Sequence, residues 1–230
     1  MIRPRAGKLP TRCAEEASSE GLLQGSAEWH SIRLGRVTAS RVADVIAKTK
    51  TGWGASRDNY LSELVVERLT GVASDGFTNE AMKWGVEKEP DARAAYEFYR
   101  SASTEAVGFV VHPEIHMSGA SPDGLVGDHG LIEIKCPSSK VHIETLLGGS
   151  VPGKYVTQMQ WQMACTGRAW CDFVSFDPRM PEDMRLFVKR IERDPAMIAD
   201  LEAAVSKFLE EVSATVSRLE QLYRTSEAAE

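Results

Sequence analysis

The sequence predicts an α+β fold in which a mixed central β-sheet is flanked by helices. Two observations support this prediction. Segments with helical character lie towards both ends of the chain, and segments with strand character cluster in its middle. The predicted helices cover residues 26–34, 39–48, 57–70, 79–100, 139–147, 155–167 and 196–222. The predicted strands cover residues 106–112, 116–120, 122–127, 131–136, 171–177 and 185–192.

The first helices are marked by the residues at which they begin. Ser26 is expected to cap the first helix, which contains Arg33, and Ser40 is expected to open the second. Pro90 lies within the fourth predicted helix, where it either kinks the helix or restarts it at a first-turn position. Residues 48–53 are expected to form a loop with two cations and one aromatic residue.

A β-hairpin is the most informative predicted element. Residues 132–136 alternate between apolar and polar side chains, as strands do. Glu133 and Lys135 therefore share one face, roughly 6.5 Å apart along the chain, and the isoleucines beside them face a core. The turn at residues 127–130 folds the preceding strand back, so Asp123 is expected to approach Glu133.

Two carboxylates and an ammonium group at one place predict a site for a divalent metal and an attacking water. Carboxylate oxygens suit Mg²⁺ or Mn²⁺, and Mg²⁺ usually takes only one or two protein carboxylates. Lys135 would hold the water or offset charge on phosphoryl oxygens. The alternative is a surface ion pair between Glu133 and Lys135 on a solvated strand. The Pro-Asp-Gly turn, the flanking apolar pattern and the Lys-Cys-Pro exit favour the metal site.

Pro122-Asp123 followed by Glu133-Ile134-Lys135 resembles the signature of PD-(D/E)XK nucleases. The flanking segments resemble one branch, the phage lambda-type exonucleases or YqaJ-type viral recombinases. Matching segments follow the family's order from about residue 24 to about residue 210. They lie at residues 29–35, 38–40, 81–85, 89, 91–93, 121–124, 133–137, 147–149, 158–160, 177–180 and 191–194.

This resemblance implies a PD-(D/E)XK restriction-endonuclease-like core and an activity. The expected enzyme is a Mg²⁺-dependent 5′→3′ double-strand DNA exonuclease that releases 5′-mononucleotides and leaves 3′ single strands. One or two Mg²⁺ ions per site are implied, with Mn²⁺ as a substitute. The implied assembly is a homotrimeric ring on double-stranded DNA ends, and the implied partner is a single-strand annealing protein. The implied location is the cytoplasm of a bacterial host, with the gene carried by a phage or prophage.

The resemblance also implies roles for residues of the centre. The implied catalytic residues are Asp123, Glu133, Lys135, Glu89 and Gln158. Metal binding is implied for Asp123, Glu133 and the backbone carbonyl of Ile134. A solvated helix face is the alternative for Glu89. Gln162 shares a predicted helix face with Gln158 but is not a reliable family match.

DNA-binding residues follow from the same resemblance. Arg33, Ser40 and Ser121 are expected to hold the 5′-phosphate, since arginine binds phosphate in a bidentate manner. Lys50 is expected to contact DNA from its loop. The alternatives are a solvated arginine, capping serines and a solvated loop. Some relatives carry a basic residue where this chain has Val86, so a contact there falls to Lys83 or Lys88 or is absent.

Composition is ordinary for a globular protein, with 43% hydrophobic and 26% charged residues in 230. This length favours one nuclease domain over residues 25–230, after a flexible arm over residues 1–24. No apolar run approaches the roughly 18 residues of a membrane helix, so no membrane association is expected.

The net charge of −6 is unevenly distributed. Residues 1–50 carry nine Lys/Arg against five Asp/Glu, whereas residues 51–180 carry eleven against seventeen. Residues 181–230 carry seven against eleven. Binding to DNA requires a local positive surface rather than a basic total. The charge distribution is therefore compatible with DNA binding.

The four cysteines, Cys13, Cys136, Cys165 and Cys171, are expected to be reduced thiols. Their spacing does not match that of an iron–sulfur cluster. A zinc site at His112 and His116 is disfavoured because Pro113 lies between them.

Two other functions stay open at this point. One is an endonuclease on the same core, which would cleave closed circular DNA. The other is a DNA-end-binding module that has lost catalysis and recruits an annealing protein. The presence of Asp123, Glu133 and Lys135 together favours a catalyst.

Overall fold

A computed structural model describes residues 24–74 and 80–224; residues 1–23 of the expected N-terminal arm lie outside this range. The α-helices of the described residues are α1 Ala27–Arg33, α2 Val42–Val45, α3 Ala55–Thr70, α4 Glu80–Arg100, α5 Ser139–Gly148, α6 Gly153–Thr166 and α7 Pro195–Tyr223. The strands are β1 Val37–Thr38, β2 Lys48–Thr49, β3 Gly52–Trp53, β4 Thr104–Glu105, β5 Val110–Val111, β6 Ser118–Ala120, β7 Gly124–Val126, β8 Gly130–Lys135, β9 Trp170–Phe176 and β10 Leu186–Glu192.

The main sheet is mixed, as predicted. Its strand order is β10-β9-β8-β7-β4, in which β8 and β9 are parallel and the other pairs are antiparallel. Strands β1, β6 and β5 form a smaller sheet, and β2 pairs with β3 as a hairpin. The structure therefore confirms the α+β class and the pairing of the last two strands.

The central strand β8 is buried on both faces. Ile132 and Ile134 pack in a cluster with Tyr96 of α4. Leu131 packs on the opposite face with Met159 of α6. A strand covered by a helix on each side excludes water from both faces. Glu133 on β8 therefore lies in the interior of the protein, whereas Lys135 at the end of the strand is partly exposed.

The long final helix packs on the body of the protein. Asp194 caps α7 by accepting hydrogen bonds from two backbone N–H groups of its first turn. Farther along α7, Phe208 stacks on Tyr60 of α3, with ring centroids 5.6 Å apart. Both residues belong to the largest apolar cluster of the described residues. The C-terminal helix is thus part of the core.

Several predicted elements differ from the structure, among them the loop expected over residues 48–53, whose two ends pair as the β2–β3 hairpin. Ser40 does not open a helix: it lies inside a 3₁₀ turn over Ala39–Arg41, because Thr38 before it is extended and pairs with β6. Of the strand predicted over residues 106–112, only Val110–Val111 form a strand, β5, because β4 ends before it at Glu105 and belongs to a different sheet. Helix α4 continues through Pro90, so the predicted restart is wrong.

Among the described residues, none of the helices is long and apolar enough to span a membrane.

Candidate active site

The β7–β8 hairpin brings Asp123 to the central strand. Gly127 has a φ of 51° in the turn, a conformation that suits glycine, and the register pairs Gly124 with Ile132. Asp123, just before β7, accepts a hydrogen bond through Oδ2 from the backbone N–H of Ile134, at 2.6 Å. Its carboxylate is therefore fixed beside the backbone between Glu133 and Lys135.

The Glu133 carboxylate is held by side chains from two elements. It is 1% exposed. Its Oε1 accepts from Gln158 Nε2 at 2.7 Å and lies 2.5 Å from Lys135 Nζ. Its Oε2 accepts from Gln162 Nε2 at 2.6 Å. Glu133 is thus an interior carboxylate, and the ion pair with Lys135 does not lie on a solvated strand face.

The two carboxylates repel each other in this buried setting. Burial raises the pKa of Asp123 well above its usual value, and the nearby charges of Glu133 and Glu89 add to this. Burial by itself lowers the pKa of Lys135, but the attraction of Glu133 and Asp123 outweighs it and raises that pKa. One ammonium faces two carboxylates here, so a further positive charge would stabilise the centre.

Glu89 lies beside the centre and is linked to it through Arg93. Glu89 Oε1 accepts from Arg93 Nη2 at 2.9 Å. The same nitrogen donates to the backbone carbonyl of Asp123 at 2.5 Å, and Nη1 donates to Thr104 Oγ1 at 3.0 Å. Arg93 is thus a structural bridge between helix α4 and the loop that carries Asp123.

A small cleft of about 40 Å³ adjoins the carboxylates. Its lining residues are Arg33, Thr38, Ala39, Ser40, Ser121 and Gln158. These residues come from four separate parts of the chain. The cleft brings together the three residues predicted to hold a phosphate. Gln158 connects the cleft to the carboxylate centre, because it lines the cleft and donates to Glu133.

Trp29 organises the end of this cleft that Arg33 and Ser121 line. The Arg33 guanidinium lies over its ring, 3.7 Å from the centroid, and Trp29 Nε1 donates to Ser121 Oγ at 2.9 Å. Burial lowers the pKa of Arg33 to about 10, which leaves the guanidinium charged at neutral pH. One indole ring thereby places a cation and a hydroxyl beside the same space.

The other predicted cations lie away from the lining of this cleft. Lys50 is exposed at the tip of the β2–β3 hairpin, where Lys48 lies over the ring of Trp53. Lys83 and Lys88 each pair with a carboxylate of α4, at 3.1 and 2.8 Å.

The donor set fits a hard divalent cation of low protein-ligand count. No group of three or more His, Cys, Asp or Glu side chains that could hold a metal occurs in the described part of the chain. Mg²⁺ commonly takes only one or two protein carboxylates. Asp123 and Glu133 supply two carboxylates, and a bound cation would offset the repulsion between them in this buried centre.

His112, by contrast, has a structural role. Its Nδ1 accepts hydrogen bonds from two backbone N–H groups, and its Nε2 lies 3.3 Å from Glu202.

Two contacts of this centre went beyond the sequence prediction. Gln162 touches Glu133 directly, and its spacing of four residues from Gln158 was the only sequence signal for it. Arg93 has the same spacing of four residues from Glu89, but its contacts with Thr104 and with the Asp123 carbonyl had no sequence signal, because those residues lie in other segments. Gln160 points away, as expected, and contacts Glu192 and Asp194.

A mixed sheet flanked by helices, with an Asp and a Glu-x-Lys on one hairpin, defines a nuclease of the PD-(D/E)XK fold. The particular family follows from the sequence. Residues 28–169 match the model of the YqaJ-like viral recombinase domain. The chain belongs to this family, and it is an enzyme of the exonuclease type. No match was found among curated proteins.

Solved structures agree with this assignment. The chain is 52% identical to an alkaline exonuclease, LHK-Exo, from Laribacter hongkongensis, with a TM-score of 0.81 over 89% of this chain and 100% of that one. LHK-Exo in complex with dAMP matches at 51% identity and a TM-score of 0.82, with the same shares covered. A phage-related exonuclease from Haemophilus somnus 129PT shares the fold at 18% identity, with a TM-score of 0.62 over 80% of this chain and 96% of that one.

Proposed function

We propose that this protein is a Mg²⁺-dependent 5′→3′ exonuclease that acts on double-stranded DNA ends and releases 5′-mononucleotides. The observation that carries the proposal is the cleft beside Glu133. Arg33, Ser40 and Ser121 line it, and Gln158 joins it to the carboxylate. A terminal phosphate seated there would place the first phosphodiester bond close to the carboxylates. The dAMP complex of the relative LHK-Exo supports a site that accepts a nucleoside monophosphate.

Asp123, Glu133 and the backbone carbonyl of Ile134 would hold the metal. Asp123 uses Oδ2 for the N–H of Ile134, so Oδ1 is the oxygen that this bond leaves for a cation. One or two Mg²⁺ ions fit such a centre, and Mn²⁺ would substitute for them. An ion bound there supplies Lewis-acid polarisation of the phosphoryl oxygens and a more acidic water.

The other residues of the centre position the reactants and stabilise charge. Lys135, at 2.5 Å from Glu133, is placed to hold the attacking water or to offset charge on the phosphoryl oxygens. Gln158 orients a water or phosphate oxygen without changing the charge of the site. Glu89 would act indirectly. It accepts a hydrogen bond from Arg93, and Arg93 in turn donates to the backbone carbonyl of Asp123.

The residues proposed to hold the terminal phosphate would determine which strand is digested. A charged, half-buried guanidinium and two hydroxyls select a 5′-phosphate over a 5′-hydroxyl because they form charge-assisted hydrogen bonds only with the former. Cleavage from that end would shorten the 5′-ended strand and leave a 3′ single strand.

The wider setting is proposed from the family resemblance. A homotrimeric ring would retain DNA with few phosphate contacts, which accords with a chain of net charge −6. Lys50, exposed on its hairpin, would supply one such contact. The 3′ strand would pass to a single-strand annealing protein in the cytoplasm of a bacterial host that carries the phage or prophage.

Digestion of end-labelled linear duplex DNA in Mg²⁺ tests the proposal. The substrates carry either a 5′-phosphate or a 5′-hydroxyl, and a closed circle and EDTA serve as controls. The expected result is loss of the 5′-ended strand alone, as mononucleotides, faster from the phosphorylated end and absent in EDTA. Nicking of the circle would instead identify an endonuclease. Binding to ends without cleavage in Mg²⁺ or Mn²⁺ would identify an end-binding module.

A further inference from the structure

Helix α6 supplies two glutamines to one carboxylate. Gln158 donates to Oε1 of Glu133 and Gln162 donates to Oε2, at 2.7 and 2.6 Å. The two amides differ in their surroundings. Gln158 lines the phosphate cleft, whereas Gln162 is 0% exposed. Only Gln158 is therefore placed to exchange its bond to Glu133 for a bond to substrate.

The far end of the Gln162 amide is also held. Its Oε1 accepts from Cys171 Sγ, at 3.9 Å, and Cys171 is fully buried on β9. Burial raises the pKa of the Cys171 thiol, so the sulfur keeps its proton as a donor. Because the amide oxygen only accepts, this contact turns the NH₂ group of Gln162 towards Glu133.

We propose that Gln162, oriented by Cys171, is a positioning residue that fixes Oε2 of Glu133 so that Oε1 stays directed at the metal centre. This inference rests on the proposed function. Partners of metal-ligating carboxylates keep the ligand in its binding orientation, and their loss usually weakens metal binding by about 10- to 100-fold. Gln162 holds Oε2 from a fully buried position and does not line the cleft.

Binding of Mn²⁺ to the full chain without DNA tests this role independently of turnover. Free Mn²⁺ is measured by electron paramagnetic resonance during titration of the protein. Gln162→Met keeps the length of the side chain and removes the donor. We expect its Mn²⁺ dissociation constant to rise about 10- to 100-fold over that of the natural chain.

Gln160→Met is the matched control. Gln160 lies on the same helix, is 2% exposed, and uses its amide to donate to the Glu192 carbonyl and accept from the Asp194 N–H. Its replacement also removes a buried amide, but away from Glu133. We expect Gln160→Met to bind Mn²⁺ as the natural chain does.

Three results would overturn the inference. One is Mn²⁺ binding by folded Gln162→Met that equals that of the natural chain, and another is an equal weakening in Gln160→Met. The third is a natural chain that neither binds Mn²⁺ nor cleaves DNA, which would remove the proposed function as well. If Gln162→Met does not fold, Gln162→Asn replaces it, since its amide is one methylene too short to keep the bond to Glu133. The same weakening is then expected.

Discussion

The carboxylate centre and the neighbouring cleft lined by Arg33, Ser40 and Ser121 are built differently. In the centre, Asp123, Glu133 and Lys135 stand on one hairpin, within thirteen positions of each other, and the register of β7 and β8 sets their separation. In the cleft, Arg33, Ser40 and Ser121 come from short segments that meet only in the folded chain.

Under the proposed function, this difference separates catalysis from the selection of DNA ends. The centre is buried and its carboxylates are held by bonds within the protein, as the contacts of Glu133 show. The cleft is open to a ligand, and its key cation rests on an indole ring rather than on a carboxylate. Changes in the centre should therefore abolish cleavage of every end, whereas changes in the cleft should alter which ends are preferred.

The largest effect is expected from Glu133→Ala. The variant loses a proposed metal ligand and leaves Lys135 without its closest carboxylate. We expect cleavage of phosphorylated and hydroxyl ends to fall below detection alike, in a nuclease assay with Mg²⁺ or Mn²⁺. Glu105→Ala, an exposed carboxylate at the edge of the same sheet, should keep full activity. Wild-type cleavage by Glu133→Ala would show that the centre is wrongly assigned.

Lys135→Ala should separate catalysis from metal binding. Its ammonium contributes charge rather than a metal ligand, so the turnover number should fall by roughly 100- to 1,000-fold. Titration with Mn²⁺ should still show binding. Lys140→Ala, an exposed lysine on α5, serves as the control for lost positive charge. Loss of Mn²⁺ binding in Lys135→Ala would argue instead that the lysine holds the fold of the centre.

Arg33→Ala should act on the choice of end. Loss of its charge-assisted hydrogen bonds should reduce the preference for a 5′-phosphate by roughly 10- to 100-fold, with little change on 5′-hydroxyl ends. The ratio of kcat/KM for the two ends measures this. Arg36→Ala is the control, because Arg36 binds the His116 carbonyl and does not line the cleft. An equal loss of kcat/KM on both kinds of end would show that Arg33 contributes to cleavage in general rather than to the choice of end.

The same contrast explains how much of the molecule could be predicted. Strand alternation and turn glycines are local signals, so they located the β7–β8 hairpin and the approach of Asp123 to Glu133. Contacts such as that between Trp29 and Ser121 span ninety-two positions, and no periodicity encodes them. The cleft residues were predicted only through the family resemblance. Ser40 was wrongly predicted to open a helix. Its backbone conformation is set by the pairing of β1 with β6, which a local capping signal does not reveal.

Asp123→Asn should reveal the repulsion inside the centre. A carboxyl whose pKa is raised by folding binds its proton more tightly in the folded protein. Stability from this group is therefore greatest below the usual carboxyl pKa of about 4 and falls as the pH rises towards the raised value. In EDTA, the free energy of unfolding of the natural chain should fall over this range, and that of Asp123→Asn should fall less. Urea titrations at several pH values measure both.

The smallest effect is expected from Lys50→Ala, which tests the cationic hairpin outside both regions. One lost phosphate contact should lower DNA affinity a few-fold and reduce the slope of log K against log salt by about 0.9. The preference for a 5′-phosphate should not change, because Lys50 does not line the cleft. Fluorescence anisotropy with a labelled duplex in Ca²⁺, with Lys140→Ala as control, gives the slope. An unchanged slope would mean that the hairpin does not touch DNA, and a changed end preference would mean that selectivity extends beyond the cleft.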